Sequence, residues 1–318
     1  MVAQILDGKS IALDLRTKIH DEVAQFQLKH PDFKPNLSII QVGDRPDSST
    51  YVKMKLKAAE EANIGCEIIK LPESITEFEL LNEVAKLNNS LEVDGILVQL
   101  PLPDHIDESK VTDAVLSDKD VDGFGPFNVG ELSKKGGEPK FLPCTPKGIM
   151  HLLEVSGVDV EGKTAVVLGR SDIVGKPVAN LLTKANASVT VVHSRTPIEQ
   201  VKNFLGEADI VVAAIGQPQY VKGEWLKPNS VVIDVGTNFI PDSTKKSGQR
   251  MVGDVEYETA KEKVQLITPV PGGVGPMTVA CLLDNVVIAA KRHYKANNET
   301  PKFTNPLKLD LKKPVPSD

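Results

Sequence analysis

Short apolar runs alternate with amphipathic segments along nearly the whole chain, and this alternation most constrains the fold. Leu37–Val42 (LSIIQV), Glu67–Leu71 and Gly95–Leu100 (GILVQL) read as buried strands in the first half. Runs at 164–168, 188–192, 209–214, 230–235 and 265–268 repeat the pattern in the second half. Between them lie helical segments. Ile11, Leu15, Ile19, Val23 and Phe26 share one helical face, and Thr76 with Glu79 forms a capping box before Leu80, Leu81, Val84 and Leu87. Near-continuous apolar strands alternating with helices predict an α/β protein with parallel sheets, the second of them Rossmann-like.

The 318 residues suffice for two domains. The expected division is 1–146 and 147–276, with a cleft between them, a final helix at 277–296 packing back on the first domain, and 297–318 as a linker or tail. Thr145 and Pro146 look like the N-cap and first position of a helix at the junction. Residues 118–144 look irregular, and Ser48, Ser49 or Thr50 is expected to cap a helix ending near Asn63. The tail contains Pro301, Pro306, Pro314 and Pro316 and keeps no period.

The formal net charge of −6 gives no global attraction for nucleic acid. No stretch is judged apolar enough to cross a membrane, and none resembles a secretory signal. Cys66, Cys144 and Cys281 are dispersed and odd in number, so no disulfide framework and no metal site is expected. A reducing, cytoplasmic compartment follows.

Two regions promise chemistry. Thr164–Leu168 runs into Gly169-Arg-Ser-Asp-Ile-Val-Gly175-Lys-Pro177 and then a helix, a layout whose free N–H groups suit an anion. It is neither a Walker loop, because five residues separate the glycines and Pro177 follows Lys176, nor GxGxxG, because position 171 is Ser. The next strand ends in His193-Ser194-Arg195, where NAD-binding folds place an acid for the ribose hydroxyl. Ser194, Arg195 and Arg170 suit a 2′-phosphate instead, so NADP is expected; His193 reads as structural. In the first half, Tyr51 and Lys55 share a helix face, Gln99 ends a strand, and Asp118-Lys-Asp120-Val-Asp122-Gly123 opens like a calcium loop. Calcium is rejected because position 12 is Val129. That leaves either a solvated turn or a carboxylate that grips a polar ring edge.

Taken together, YVKMKLKAAEEA, ILVQLPLP, DKDVDGF, PCTPKG, GRSDIVGKP, HSRT and TPVPGGVGPMT resemble, in order, the methylenetetrahydrofolate dehydrogenase/cyclohydrolase family across residues 3–296. The tail NPLKLDLKKPVPSD is similar to the linker before the formate–tetrahydrofolate ligase domain of eukaryotic trifunctional synthases. The resemblance implies two reactions: hydride transfer from 5,10-methylenetetrahydrofolate to NADP, then hydrolysis of the methenyl product to 10-formyltetrahydrofolate. It implies Lys55 as the proton-handling amine, Gln99 as the partner that tunes it, Tyr51 stacked on the folate, and Asp122 holding the pterin. Val52, Lys53, Met54, Val98 and Leu100, and Pro271, Gly272, Gly273, Val274 and Gly275, fall in its folate-binding segments. Gly169, Arg170, Ser171, Ser194 and Thr237 match cofactor positions; Arg195 is added on charge. A homodimer through the second domain, and a ligase domain beyond this chain, are implied too. Fold alone also permits another two-domain NADP dehydrogenase, such as one resembling shikimate dehydrogenase, or a nucleotide sensor without turnover. Neither gives Tyr51, Lys55, Gln99 and Asp122 a joint purpose.

Overall fold

The computed structural model describes residues 2–245 and 247–294. The expected tail, 297–318, and the last two residues of the expected final helix lie outside the described residues. The chain divides into two compact units, one of residues 12–144 and 279–294, the other of residues 2–11 and 145–278.

The chain opens with β1 (Gln4–Ile5) and α1 (Gly8–Lys29). The first unit continues with β2 (Asn36–Val42), α2 (Pro46–Glu61), β3 (Gly65–Leu71), α3 (Glu77–Asn89), β4 (Gly95–Val98), α4 (Glu108–Asp113) and α5 (Pro126–Ser133). β2 lies between β3 and β4 in a parallel sheet, with Leu37 level with Cys66 and Gly95. β2 is buried almost throughout, as a central parallel strand must be. The capping box forms: Glu79 N–H donates to Thr76 Oγ1 at 3.2 Å, and Thr76 N–H donates to Glu79 Oε2 at 2.9 Å. The expected cap on α2 does not. That helix starts earlier, with Pro46 at its first position and no side-chain cap on Arg45. Proline's fixed φ and missing N–H suit a helix start, so Ser48, Ser49 and Thr50 fall inside the helix. α5 occupies part of the stretch expected to be irregular; its glycine- and proline-rich flanks hid an eight-residue helix.

The second unit holds α6 (Cys144–Val155), β5 (Thr164–Leu168), α7 (Gly175–Lys184), β6 (Ser188–Val192), α8 (Ile198–Glu207), β7 (Ile210–Ala213), β8 (Val231–Asp234), β9 (Asn238–Pro241), β10 (Gln249–Val252), α9 (Tyr257–Ala260), β11 (Leu266–Ile267) and α10 (Val274–His293). α6 and α10, like α1, run from one unit into the other. The main sheet has the order β1-β11-β8-β7-β5-β6, and every pairing in it is parallel. The chain leaves β5 in one direction for β6 and returns past it to β7. The switch point of this Rossmann-like sheet therefore lies between β5 and β7, where ligands of such sheets bind.

Three expectations need correction. Residues 2–11 do not belong wholly to the first domain: Gln4 pairs with Leu266 and Ile5 with Ile267, completing the sheet edge of the second unit. A two-residue strand is too short to show a period. Thr145 does not cap α6, which begins at Cys144; its hydroxyl instead pairs with that of Thr278 at 2.9 Å. Finally, α10 is long and apolar enough to cross a membrane, with mean hydropathy 1.4 over eighteen residues. It is a core helix here, because 78% of that window is buried inside the protein. Val286, Val287 and Ala289 are almost wholly enclosed.

Candidate functional site

Within the first unit, α2 carries Tyr51 and Lys55 on one face, and β4 delivers Gln99 just past its last residue. Gln99 N–H donates to Ile40 O at 2.9 Å, which carries the sheet ladder one residue beyond the strand. Its side-chain Nε2 donates to Leu100 O at 2.8 Å. That bond turns the amide so that Oε1 faces Lys55, whose Nζ donates to it at 3.0 Å. A half-buried amide with both ends committed holds one orientation. Burial depresses the Lys55 pKa below its ordinary value, and the nearby carboxylate of Asp122 opposes that shift. Asp122 is pushed up to about 6 by burial; Lys55 pulls it down, and the charge of Asp120 adds to the rise. The Cys144 thiol donates to Asp122 Oδ1 at 3.7 Å and to Val121 O at 3.3 Å. Burial also raises the Cys66 thiol to about 11. The unit thus sets an amine that gives up its proton more readily than usual near a carboxyl that titrates close to neutrality. This is the pairing from which acid–base chemistry is built.

The loop bearing Asp122 is fixed from several sides. Asp120 gathers backbone and side-chain donors, and Asn285 Nδ2 donates to Val121 O at 2.8 Å and Leu142 O at 3.0 Å. Gly123 has φ +72°, and a Cβ there would meet Pro143 N at 2.8 Å, so both its conformation and its space require glycine. Sequence reasoning missed Cys144, Asn285, Asn128 and the true use of Asp120. The DKDVDG run flagged the loop, but contacts made by a helix far along the chain leave no local signal.

Of the other expected folate residues, Val52 and Val98 are buried and their side chains serve packing, while Lys53 and Met54 are exposed. Tyr51 and Leu100 are half-buried. Pro271–Gly275 belongs to the second unit, where Lys9 N–H donates to Gly272 O at 3.1 Å.

In that unit the turn after β5 lies at the switch point. Gly169 has φ +111°, and a Cβ on it would sit 2.1 Å from Ala214 O, so the turn closes against the end of β7. The expectation that the α7 N–H groups stand free needs correction. Ser171 Oγ accepts from Val174 and Gly175, both at 3.2 Å, and Lys176 N–H donates to Ser171 O. Ser171 lies three residues before the N-cap position, Val174, and its hydroxyl and carbonyl take up the donors of the turn that enters the helix. Arg170, Ser194, Arg195 and Thr237 are exposed around the strand ends. His193 shapes the turn: its N–H donates to Thr196 Oγ1 at 3.1 Å, and its Nδ1 accepts from Arg195 N–H at 3.3 Å. The glycine turn with two guanidinium groups and hydroxyls beside it fits a dinucleotide bearing an extra phosphate.

Two buried carboxylates under this edge were also missed. Asp254 accepts from Ile215, Gly216 and Gln217 N–H and from Asn238 Nδ2. Asp234 accepts from Gly236, Asp254 and Val255 N–H, and burial pushes it up to about 7. Together they hold the loops that follow β7 and β8.

A family model described as tetrahydrofolate dehydrogenase/cyclohydrolase, catalytic domain, matches residues 6–122. Its companion, the NAD(P)-binding domain, matches residues 143–294. The chain is 56% identical over 314 residues to the mitochondrial C-1-tetrahydrofolate synthase of Saccharomyces cerevisiae, covering 99% of this chain and 32% of that protein. It therefore spans about a third of that relative's length. Bifunctional protein FolD 2 of Arabidopsis thaliana is 53% identical over 290 residues, covering 91% of this chain and 96% of its own. Among solved structures, the Trypanosoma brucei N5,N10-methylenetetrahydrofolate dehydrogenase-cyclohydrolase, complexed with NADP cofactor and inhibitor, superposes with a TM-score of 0.90 at 43% identity, covering 93% of this chain and 100% of that one.

Proposed function

Because the chain belongs to the tetrahydrofolate dehydrogenase/cyclohydrolase family, we propose that it oxidises 5,10-methylenetetrahydrofolate with NADP and hydrolyses the resulting 5,10-methenyl cation to 10-formyltetrahydrofolate. The observation that carries this reading is the Lys55–Gln99 pair, 3.0 Å apart, with Asp122 acting on the same amine.

NADP supplies the hydride acceptor, and Gly169, Arg170, Ser171, Ser194, Arg195 and Thr237 are the residues that would hold it. In the oxidation the folate nitrogens themselves stabilise the cation, so the protein's work is chiefly alignment. Tyr51 would supply a flat face for the folate. Asp122, once ionised, would accept two N–H bonds from the pterin edge, a charge-assisted pairing that fixes its orientation. In the hydrolysis, water must lose a proton as it attacks the cationic carbon. Lys55 in its neutral form would take that proton, and its depressed pKa makes this form accessible nearer neutral pH. Gln99 Oε1 accepts from the amine and holds its position between turns of the reaction. Pro271–Gly275 is a further segment proposed to bind folate.

The same proposal includes a homodimer formed through the second unit. It also includes a formate–tetrahydrofolate ligase portion, for which the greater length of the yeast relative leaves room. A cytoplasmic location rests on three dispersed cysteines, none of which is joined in a disulfide.

The test is direct. The purified chain, given methylenetetrahydrofolate and NADP, should produce NADPH absorbance. Given methenyltetrahydrofolate alone, it should bleach the methenyl chromophore faster than buffer does. Turnover of neither substrate would remove the assignment.

A further inference from the structure

We infer that Asp120 is a positioning residue for the carboxylate of Asp122, an inference that rests on the folate-holding role proposed for Asp122. Asp120 is only 3% exposed, yet its two oxygens take four donors. Oδ1 accepts from Gly123 N–H at 3.0 Å and Phe124 N–H at 3.2 Å. Oδ2 accepts from Gly125 N–H and Asn128 Nδ2, both at 2.8 Å. Every partner donates, so the group works as a carboxylate; a protonated acid would turn its own hydrogen against an N–H.

These bonds bracket Asp122. On one side, residue 120 is pinned to the sheet by its bridge to Ile96, whose N–H also donates to Lys119 O at 2.8 Å. On the other, the backbone from Gly123 to Gly125 is folded back onto the Asp120 side chain. Asn128 extends the clamp, because its Oδ1 accepts from Lys140 N–H at 2.8 Å and Phe141 N–H at 3.2 Å. Asp122 is thus held between two fixed stretches of backbone, with little freedom to swing.

Asp120 has a second, electrostatic hold on Asp122. The titratable groups that act on Asp122 are Lys55 from α2, Cys144 from the start of α6, and Asp120 within its own loop. A like charge disfavours ionisation of its neighbour. Removing the Asp120 charge while keeping its shape should therefore let Asp122 ionise at lower pH.

Three variants separate the possibilities: Asp122→Asn, Asp120→Asn and Asn128→Ala. Each is measured for folate KM, NADP KM, kcat and the pH dependence of kcat/KM, with thermal melting as the check on folding. Asp120→Asn should raise folate KM roughly tenfold, the worth of a misplaced charged hydrogen bond, with kcat within about threefold and NADP KM unchanged. Its acid limb in kcat/KM should move to lower pH. Asn128→Ala should raise folate KM while leaving that limb in place, because it loosens the clamp without removing a charge. If Asp120→Asn does not fold, Asn128→Ala decides alone, and an unchanged folate KM there overturns the proposal. Equal losses in kcat and in both KM values, with an unmoved acid limb, would make Asp120 merely structural and overturn it too. Wild-type folate KM in Asp122→Asn would instead overturn the underlying folate role of Asp122.

Discussion

Lys55→Met probes the division of labour most sharply. Methionine is unbranched like lysine and fills the same path through the helix face, but it has neither proton nor charge. The structure sets the two magnitudes. The lost contact is one hydrogen bond of 3.0 Å to Gln99, worth about 0.5–1.5 kcal/mol in stability. Ending the burial of an amine whose pKa is depressed by that burial offsets part of this cost. The melting temperature should therefore move by no more than roughly 6 °C, at about 2–4 °C per kcal/mol. Hydrolysis should lose about 10²–10⁴ in rate, the worth of the base proposed at Lys55, equivalent to about 2.7–5.4 kcal/mol of barrier. Oxidation, which leans on alignment rather than proton transfer, should fall much less. The assay follows decay of the methenyl chromophore and appearance of NADPH in parallel samples, with a melt on each. A variant that melts normally and still hydrolyses at the wild-type rate would refute the role given to Lys55.

Asp122→Ala should raise folate KM by about 10- to 100-fold and leave NADP KM nearly unchanged, because Asp122 lies in the first unit; steady-state kinetics with each substrate varied would expose equal losses if the assignment is wrong. Replacing Ser194 by Asp and Arg195 by Ala should weaken NADP by about tenfold or more and move preference toward NAD, so an unaltered NADP/NAD ratio of kcat/KM would count against the phosphate reading. The pH dependence should have two signs. Hydrolysis should rise with pH, as the Lys55 amine sheds its proton below the ordinary lysine range, and folate KM should rise as pH falls through about 6, where Asp122 gains a proton. A flat rate profile would contradict the first, and a flat KM across that window the second.

Much of the framework was legible in the sequence because parallel strands buried on both faces leave continuous apolar runs. The Leu37–Val42, Thr164–Leu168 and Ser188–Val192 runs correspond closely to β2, β5 and β6. Less legible was everything decided by partners distant in the chain. β1 is a strand only because β11 lies beside it. Thr145 has the composition of a cap but spends its hydroxyl on Thr278. α10 is long and apolar enough to pass for a membrane span, and only its burial marks it as a core helix. At the site, the spacing of Tyr51 and Lys55 was visible as a helix face, and Gln99 stood out as a polar end to an apolar strand. The meeting of Lys55 and Gln99 at 3.0 Å is a property of the sheet that carries Gln99 past α2. Asp120 and Asp122 are indistinguishable by type and differ only in which donors surround them.

The central claim is that the Lys55 amine reaches the one-carbon unit of bound folate. A crystal structure of the protein with NADP and a folate analogue measures this directly. The account predicts Lys55 Nζ within about 2.6–3.2 Å of the analogue's reacting group, or one ordered water away from it, with Gln99 Oε1 still accepting from the amine. An ammonium group turned to bulk solvent and several water layers from the bound folate would contradict it.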